Sequence, residues 1–232
     1  MCALNTDWIV FGTAVATRAT TSAGKSEVSL STSAINEAAV ASPFGIPIFG
    51  TGTLHIRAGE SMNIIPVFPG ALATERGLVA GKIRTVIRWN DLGGVSYWGL
   101  MALQSALDMT TGTHNAYGLA CSTLSFANRI HIAQFNNTTL TGWTSLASSP
   151  PNAFMDNIPI AVEFEWDATS LTSAVLTVRT GSMTDFSDLA TLLTFTDIVS
   201  PHVTSVAEGL WGTSASGPVD VYWDNTTIFK RT

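Results

Sequence analysis

The chain has 232 residues, of which 46% are hydrophobic and 12% charged, with a net charge of −6 at pH 7. This length suits a single all-β sandwich domain, and no apolar run reaches the roughly 18 residues that predict a membrane-spanning helix. The 11 basic residues are scattered singly, which argues against a nucleic-acid-binding surface.

The N-terminal residues 1–45 differ from the rest in being rich in Ala, Ser and Thr. We interpret them as a surface arm that includes the first strand or strands, with a docking arm for a partner as the alternative. The opening "MCALNTDWIV" lacks a basic segment followed by an apolar run, so we expect no secretory signal peptide. Residues 46–232 are predicted to form one β-sandwich.

Helical periodicity is weak throughout the chain. The best helix candidate is Ser33–Ala41, and Phe186–Leu193 is compatible with a single helical turn. Both candidates are short, so the sequence predicts an all-β protein.

Short apolar runs separated by Gly, Asn, Asp and Ser predict strands along the rest of the chain. Asn90–Gly94 reads as a tight reversal, and the segment after Phe135 and Asp167–Ser173 read as hairpin connections. Strands joined by short polar turns indicate a two-sheet antiparallel sandwich or jelly roll. The predicted strands are Trp8–Val15, Thr53–Ile56, Ser61–Pro66, Lys82–Trp89, Tyr97–Gln104, Ala116–Ser122, Arg129–Phe135, Ile160–Trp166, Ser173–Thr180, Leu192–Phe195, Ala207–Gly212 and Val219–Phe229.

The last predicted strand, in "VDVYWDNTTIFKRT", alternates apolar and polar residues up to the end of the chain. Such a strand is usually held by pairing inside a sheet, commonly beside a strand from near the N-terminus. We therefore expect it to belong to the main body of the fold.

The cysteines and histidines point to no recognisable catalytic or metal centre. Cys2 and Cys121 cannot form a disulfide framework, and we expect Cys121 to be a buried free thiol, with a bridge to Cys2 as the alternative. No pair of histidines has metal-ligand spacing, and the serine-hydrolase elbow and the nucleotide-binding glycine motifs do not occur.

Aromatic residues give the sequence its best candidate ligand site. Sugars are commonly recognised by stacking on aromatic rings, and Trp143 lies in a predicted loop where its ring could be exposed. Asn136 and Asn137, in the same connection, complete the candidate carbohydrate-binding set. The other tryptophans of this group are expected to be core residues, namely Trp98, Trp166, Trp211 and Trp223.

Several segments, taken in their order, resemble the concanavalin A-like lectin/glucanase superfamily, and in particular its laminin-G-like jelly-roll domains. They include "AYGLACSTLSFANRIHIAQFNNTTLTGWTSLAS", "IPIAVEFEWDATS", "EGLWG" and "VDVYWDNTTIF", and the resemblance covers Gly50 to Phe229. It implies a C-terminal strand beside the N-terminal one near the middle of a sheet. Trp223 and Phe229 would then be core residues, with Asp224 and Asn225 at a bend.

The segment "VEFEWD" places Glu163, Glu165 and Asp167 at alternate positions of one strand, so that their side chains share a face. Retaining glycosidases of the superfamily carry three acidic residues at this spacing, typically Glu, Asp, Glu, whereas the order here is Glu, Glu, Asp. The alternative, which we favour, is a solvated strand face in front of a buried one.

The sequence therefore favours a non-enzymatic virion structural protein, of a bacteriophage, with a laminin-G-like and glycan-binding domain. Low charge, abundant small residues and the missing export signal support this assignment, with self-association and other virion proteins as partners. The alternatives are a free carbohydrate-binding module and a retaining glycoside hydrolase. We expect no cofactor. The resemblance admits calcium, for which the candidate ligands are Asp91, Asp108 and Asp156.

Overall fold

The structure, a computed structural model, describes residues 8–12, 16–20, 26–30, 54–58, 62–66, 77–89, 95–106, 112–124, 127–183, 185–216 and 219–230. These residues form fifteen strands. In chain order they are β1 (Trp8–Gly12), β2 (Ala16–Thr20), β3 (Ser26–Leu30), β4 (Leu54–Ala58), β5 (Met62–Pro66), β6 (Ala80–Trp89), β7 (Val95–Gln104), β8 (His114–Ser122), β9 (Arg129–Thr138), β10 (Thr144–Ser148), β11 (Ile160–Asp167), β12 (Ala174–Gly181), β13 (Ala190–Asp197), β14 (Ala207–Ser216) and β15 (Val219–Lys230).

The strands build two large antiparallel sheets. One has seven strands in the order β1-β5-β14-β7-β8-β9-β10, and the other has six in the order β13-β12-β11-β6-β15-β4. A separate two-stranded ribbon pairs β2 with β3. The predicted fold class, an all-β antiparallel sandwich of two sheets, is confirmed.

The core lies between the two large sheets and is filled by alternate residues of each strand. On β11, Val162, Phe164 and Trp166 are fully buried, and the Trp166 Nε1–H donates to the Leu78 carbonyl at 2.8 Å. On β8, Tyr117, Leu119 and Cys121 face the same layer. Cys121 is buried and free, as predicted, and Cys2 lies outside the described residues.

A second, smaller apolar cluster occupies the opposite face of the seven-stranded sheet, which we call the outer face. It uses the other set of alternate positions on the same strands, and its largest member is Trp211. The indole Nε1–H of Trp211 donates to the carbonyls of Leu100 and Leu119, at 3.2 and 3.3 Å. Glycine is required at position 118 in the strand beneath, because a Cβ there would stand 2.8 Å from the Leu100 carbonyl oxygen. The remaining buried members are Met101, Ala116, Ala120, Ala133, Phe135 and Leu140.

The last strand confirms one expectation and corrects two others. β15 lies inside the six-stranded sheet between β6 and β4, with Trp223 1% exposed. Its neighbour from the early part of the chain is β4, whereas β1 pairs with β5 in the other sheet. The pairing shifts register between Asp224 and Thr227, where a bend was expected. Phe229 is 36% exposed, so its assignment to the core was wrong.

Two other local predictions need correction. A third, the reversal at Asn90–Gly94, lies outside the described residues; the strands before and after it, β6 and β7, lie in different sheets. Phe186–Leu193 is no helical turn, because β13 begins at Ala190 and pairs with β12. β10 was missed, since "TSLAS" is short, mostly exposed and lacks an alternating apolar pattern.

Two further expectations concern helices. Ser33–Ala41 lies outside the described residues. The part of the chain that the structure describes contains no helix with the length and apolarity that crossing a membrane requires.

Candidate functional site

The outer face of the seven-stranded sheet carries a cavity of about 470 Å³ at the end formed by β7, β8, β9 and β10. It lies beside the second apolar cluster, against which two of its lining residues, Tyr97 and Trp143, pack. Its lining residues are Tyr97, Ser122, Leu124, Ala127, Arg129, His131, Thr141, Trp143 and Ser145.

Three rings meet in this cavity. The Trp143 and Tyr97 rings pack edge to face, with centroids 5.2 Å apart and planes at 89°. The His131 ring also packs against Trp143, with centroids 5.1 Å apart and planes at 60°. The indole is therefore in contact with two neighbouring rings, which restrict its orientation before any ligand arrives.

The short connection between β9 and β10 positions Trp143. Leu140 is 1% exposed and is buried in the second apolar cluster, so it anchors the connection to the sheet. The Gly142 N–H donates to the Thr139 carbonyl at 3.1 Å and closes a turn. The next residue, Trp143, is consequently presented half-buried at the cavity.

Two nitrogen-bearing side chains from β9 supply the polar wall of the cavity. The Arg129 Nη1–H donates to the Ser149 carbonyl at 2.7 Å, and His131 Nδ1 lies 2.9 Å from Ser145 Oγ. Burial, together with the nearby positive charge of Arg129, lowers the pKa of His131 below its ordinary value. His131 is therefore a neutral ring at pH 7, and Arg129 carries the charge.

The three predicted carbohydrate-binding residues are placed differently. Trp143 lines the cavity, whereas Asn136 and Asn137 are exposed on β9 and are not among its lining residues. Asn137 adopts a left-handed backbone (φ 50°), and its N–H donates to Asn115 Oδ1 at 2.8 Å. Asparagine tolerates this conformation better than most residues, so we assign Asn137 a role in the local backbone structure.

Sequence reasoning missed Tyr97, Arg129 and His131 as companions of Trp143. A signal was present in the alternation along β9, where Arg129 and His131 are two residues apart and so share a face. Tyr97 lies on β7, which is separated from β9 by β8, and only the strand order brings it near.

The three carboxylates of "VEFEWD" lie on β11 in the other sheet and are held by local partners. Glu163 is 1% exposed and forms ion pairs with Lys82, Arg84 and Arg179. Arg179 Nη1 also bonds Glu165 Oε2, so the two glutamates share one guanidinium. The buried residues behind this face are Val162, Phe164 and Trp166, as predicted, but Glu163 itself is enclosed and not solvated.

The cations decide the protonation state of Glu163. Burial alone would raise its pKa, but hydrogen bonds from Arg84 and Arg179 and the charge of Lys82 outweigh burial and leave the pKa below its ordinary value. A glycosidase acid needs the opposite shift.

The remaining carboxylate and the cations have similarly local contacts. Asp167 accepts hydrogen bonds from the Thr169 N–H and Oγ1–H, at 3.1 and 2.7 Å, in the turn after β11. Lys82 Nζ and the Arg84 guanidinium lie over the exposed Phe229 ring, 5.3 and 5.1 Å from its centroid.

Among the candidate calcium ligands, Asp156 is exposed and accepts a hydrogen bond from Asn157 Nδ2 at 3.1 Å. Asp91 and Asp108 lie outside the described residues. Within the residues that the structure describes, no three His, Cys, Asp or Glu side chains are grouped as a metal site would require.

No protein-family profile and no curated protein matches the chain. Among solved structures, the carbohydrate-binding module CBM66 from Bacillus subtilis superposes with a TM-score of 0.55 at 13% identity, over 99% of each chain. A glycoside hydrolase family 16 endo-glucanase from Bacteroides ovatus gives 0.54 at 11% identity, over 92% of this chain and 94% of that one. A PL-14 alginate lyase from Aplysia kurodai superposes with a TM-score of 0.52 at 10% identity, over 85% of this chain and 87% of that one. At these identities the likeness concerns the fold, and the chain adopts the concanavalin A-like jelly roll.

Proposed function

We propose that the protein is a non-enzymatic glycan-binding domain, whose binding site is the outer-face cavity formed by β7 to β10. The observation that carries the proposal is the half-buried Trp143 ring, which packs against Tyr97 and His131 in a cavity of about 470 Å³. Aromatic rings of fixed orientation stack on the apolar faces of sugars.

The rest of the cavity has the chemistry that sugar binding needs. Hydroxyl groups of Ser122, Thr141 and Ser145 line it, and each can donate or accept a hydrogen bond from a sugar hydroxyl. The volume falls within the range of small-ligand sites. A carbohydrate-binding module with the same architecture supports the same conclusion.

The runner-up function, a retaining glycoside hydrolase, would act through Glu163, Glu165 and Asp167. The family 16 endo-glucanase among the structural neighbours keeps this alternative relevant. Our preference for a non-enzymatic domain rests on Glu163, which is 1% exposed and enclosed by three cations, so that its carboxylate is not open to a sugar. We expect no release of reducing sugar from a panel of β-glucans. Turnover that Glu163→Gln abolishes would favour the hydrolase.

The decisive experiment is a glycan array followed by titration calorimetry on the best ligand. We expect Trp143→Ala to weaken binding at least about fivefold, because one stacking contact is worth roughly 1–3 kcal/mol. Asn136→Ala is the matched control, since Asn136 is exposed on β9 outside the cavity. Equal affinity for the two variants, or loss only with Asn136→Ala, would contradict the proposal.

The setting of this domain in a virion, as a self-associating capsid or tail component, stays a prediction. Low charge supports it, as do the exposed apolar side chains Leu171, Ile198 and Val199, which are 82%, 71% and 91% exposed. Val199 follows β13, and Leu171 precedes β12, which pairs with β13. We expect light scattering to find an oligomer that the double variant I198S/V199S weakens. A monomer at tens of micromolar for both proteins would contradict self-association.

A further inference from the structure

The charge around the cavity has the opposite sign to that of the whole protein. The chain carries −6, yet β7, β8, β9 and β10 contain no Asp or Glu. The lining residues also include no carboxylate, and Arg129 supplies their positive charge. An anionic ligand would therefore meet no like charge from these strands.

Arg129 is also distinct from the other arginines whose contacts are described on the sheets. Arg84 and Arg179 are neutralised by Glu163 and Glu165. In the described part of the chain, Arg129 forms no ion pair with a carboxylate, and its hydrogen-bond acceptor is the Ser149 carbonyl. The guanidinium thus keeps its charge and most of its donors for another partner.

The backbone that holds Arg129 is itself fixed. Ser149 is 1% exposed, its Oγ accepts from the Ile130 N–H at 3.0 Å, and it donates to the Pro150 carbonyl at 2.8 Å. The Ser149 carbonyl therefore orients one corner of the guanidinium. An oriented, planar guanidinium matches a carboxylate better than it matches a neutral hydroxyl group.

We propose that the cavity selects glycans with a carboxylated sugar, such as a hexuronate or a sialic acid, whose carboxylate pairs with Arg129 while the sugar ring stacks on Trp143. This inference rests on the proposed glycan-binding function and adds the class of ligand. Arg129 and Trp143 both line this cavity.

The test compares matched pairs of soluble probes by calorimetry on the full chain. The pairs are trigalacturonate with its methyl ester, a mannuronate trimer with its methyl ester, and sialyllactose with lactose. We expect one carboxylated probe to bind at least about tenfold more tightly than its neutral counterpart, the effect of a charge-assisted hydrogen bond. That preference should shrink as salt rises from 50 to about 500 mM, because part of it is electrostatic.

Variants assign the preference to Arg129. Arg129→Gln should reduce the ratio between the paired probes to about one, whereas Arg129→Lys should keep part of it, because charge remains and the planar fork is lost. Arg88→Gln is the control, because Arg88 lies on β6 in the other sheet and carries the same charge. Melting temperatures establish that each variant is folded, and the wild-type pairs test the inference even if a variant is not.

The outcomes separate this inference from the function on which it rests. Neutral probes that bind as tightly as carboxylated ones, with affinity lost in Trp143→Ala, would overturn the acidic ligand and leave glycan binding intact. No binding by any of these probes would overturn the acidic ligand, and the glycan array would then decide whether the protein binds neutral glycans. A carboxylate preference that survives Arg129→Gln would overturn the role of Arg129.

Discussion

The outer faces of the two sheets use charge in different ways. On the six-stranded sheet, Glu163 is enclosed by Lys82, Arg84 and Arg179, so positive and negative groups neutralise each other within the protein. On the seven-stranded sheet, Arg129 stands in a cavity beside Trp143 without a carboxylate among the lining residues. Ion pairs within the protein stabilise its fold, whereas an arginine without a carboxylate partner can form an ion pair with a ligand. We therefore interpret the first face as structural, and the second is our candidate binding face.

The largest expected effect on stability comes from replacing Glu163, which tests whether its ion pairs stabilise the fold. Glu163→Gln leaves three cations around a neutral side chain, and we expect it to lower the free energy of unfolding by about 3 kcal/mol, the usual cost of breaking a buried ion pair. Denaturant unfolding at pH 7 measures the change. Glu165→Gln is the matched control and should cost less than about 1 kcal/mol, because Glu165 is 32% exposed and its ion-pair partner among the described residues is Arg179. Equal stability of the two variants would contradict the view that the buried Glu163 stabilises the fold more than the partly exposed Glu165 does.

Low pH should abolish the difference in stability between wild type and Glu163→Gln. The pKa of Glu163 lies below its ordinary value of 4.5, so its ionised form stabilises the fold above pH 4.5, and this contribution is lost as the pH falls through the folded-state pKa. We therefore expect the stability gap between wild type and Glu163→Gln to narrow below pH 4.5. A gap that is constant from pH 7 to pH 3 would show that the loss comes from packing and not from charge.

On the outer face of the seven-stranded sheet, the stability of the second apolar cluster should depend more on Trp211 than on Trp143. Trp211→Phe removes an indole N–H shared by two carbonyls and leaves space in a buried site, so we expect a loss of about 2 kcal/mol. Trp143→Phe, at a half-buried site, should cost less than about 1 kcal/mol. Thermal unfolding compares them, and the reverse order would mean that Trp143 is a structural residue.

The smallest expected effect concerns Phe229 on the six-stranded sheet. Its ring is 36% exposed and lies under the charges of Lys82 and Arg84. Phe229→Ala should cost about 1 kcal/mol, the value of an exposed cation–π contact and little more. A loss above about 3 kcal/mol in urea unfolding would indicate that the ring belongs to the core after all.

The sequence predicts the strands well where alternation is clear. Val162, Phe164 and Trp166 mark β11, and Val221 and Trp223 mark β15, because burial on one face forces a period of two. β10 could not be found in this way, since an edge strand with both faces partly solvated needs no alternation. Phe229 was misplaced because the register shift between Asp224 and Thr227 interrupts the alternation before it.

The candidate site was harder to predict for a different reason. Trp143 could be found from its place in a predicted loop, but Tyr97 and Arg129 join it only through the order β7-β8-β9-β10. The ion-pair cluster had a readable signal, since Lys82 and Arg84 repeat the two-residue spacing of Glu163 and Glu165. The register between β11 and β6 places Glu163 opposite Arg84 and Glu165 opposite Lys82. Nothing in the local sequence says that these two strands are neighbours.

Indole NMR would test most directly which face binds the glycan. Each tryptophan gives one Nε1–H resonance. Trp143 lies in the cavity, and Trp166, whose Nε1–H donates to the Leu78 carbonyl, reports on the six-stranded sheet. On titration with the best glycan from the array, we predict that the Trp143 resonance shifts with the binding curve while the Trp166 resonance stays in place. Saturable binding that moves the Trp166 resonance and leaves that of Trp143 unchanged would contradict our account.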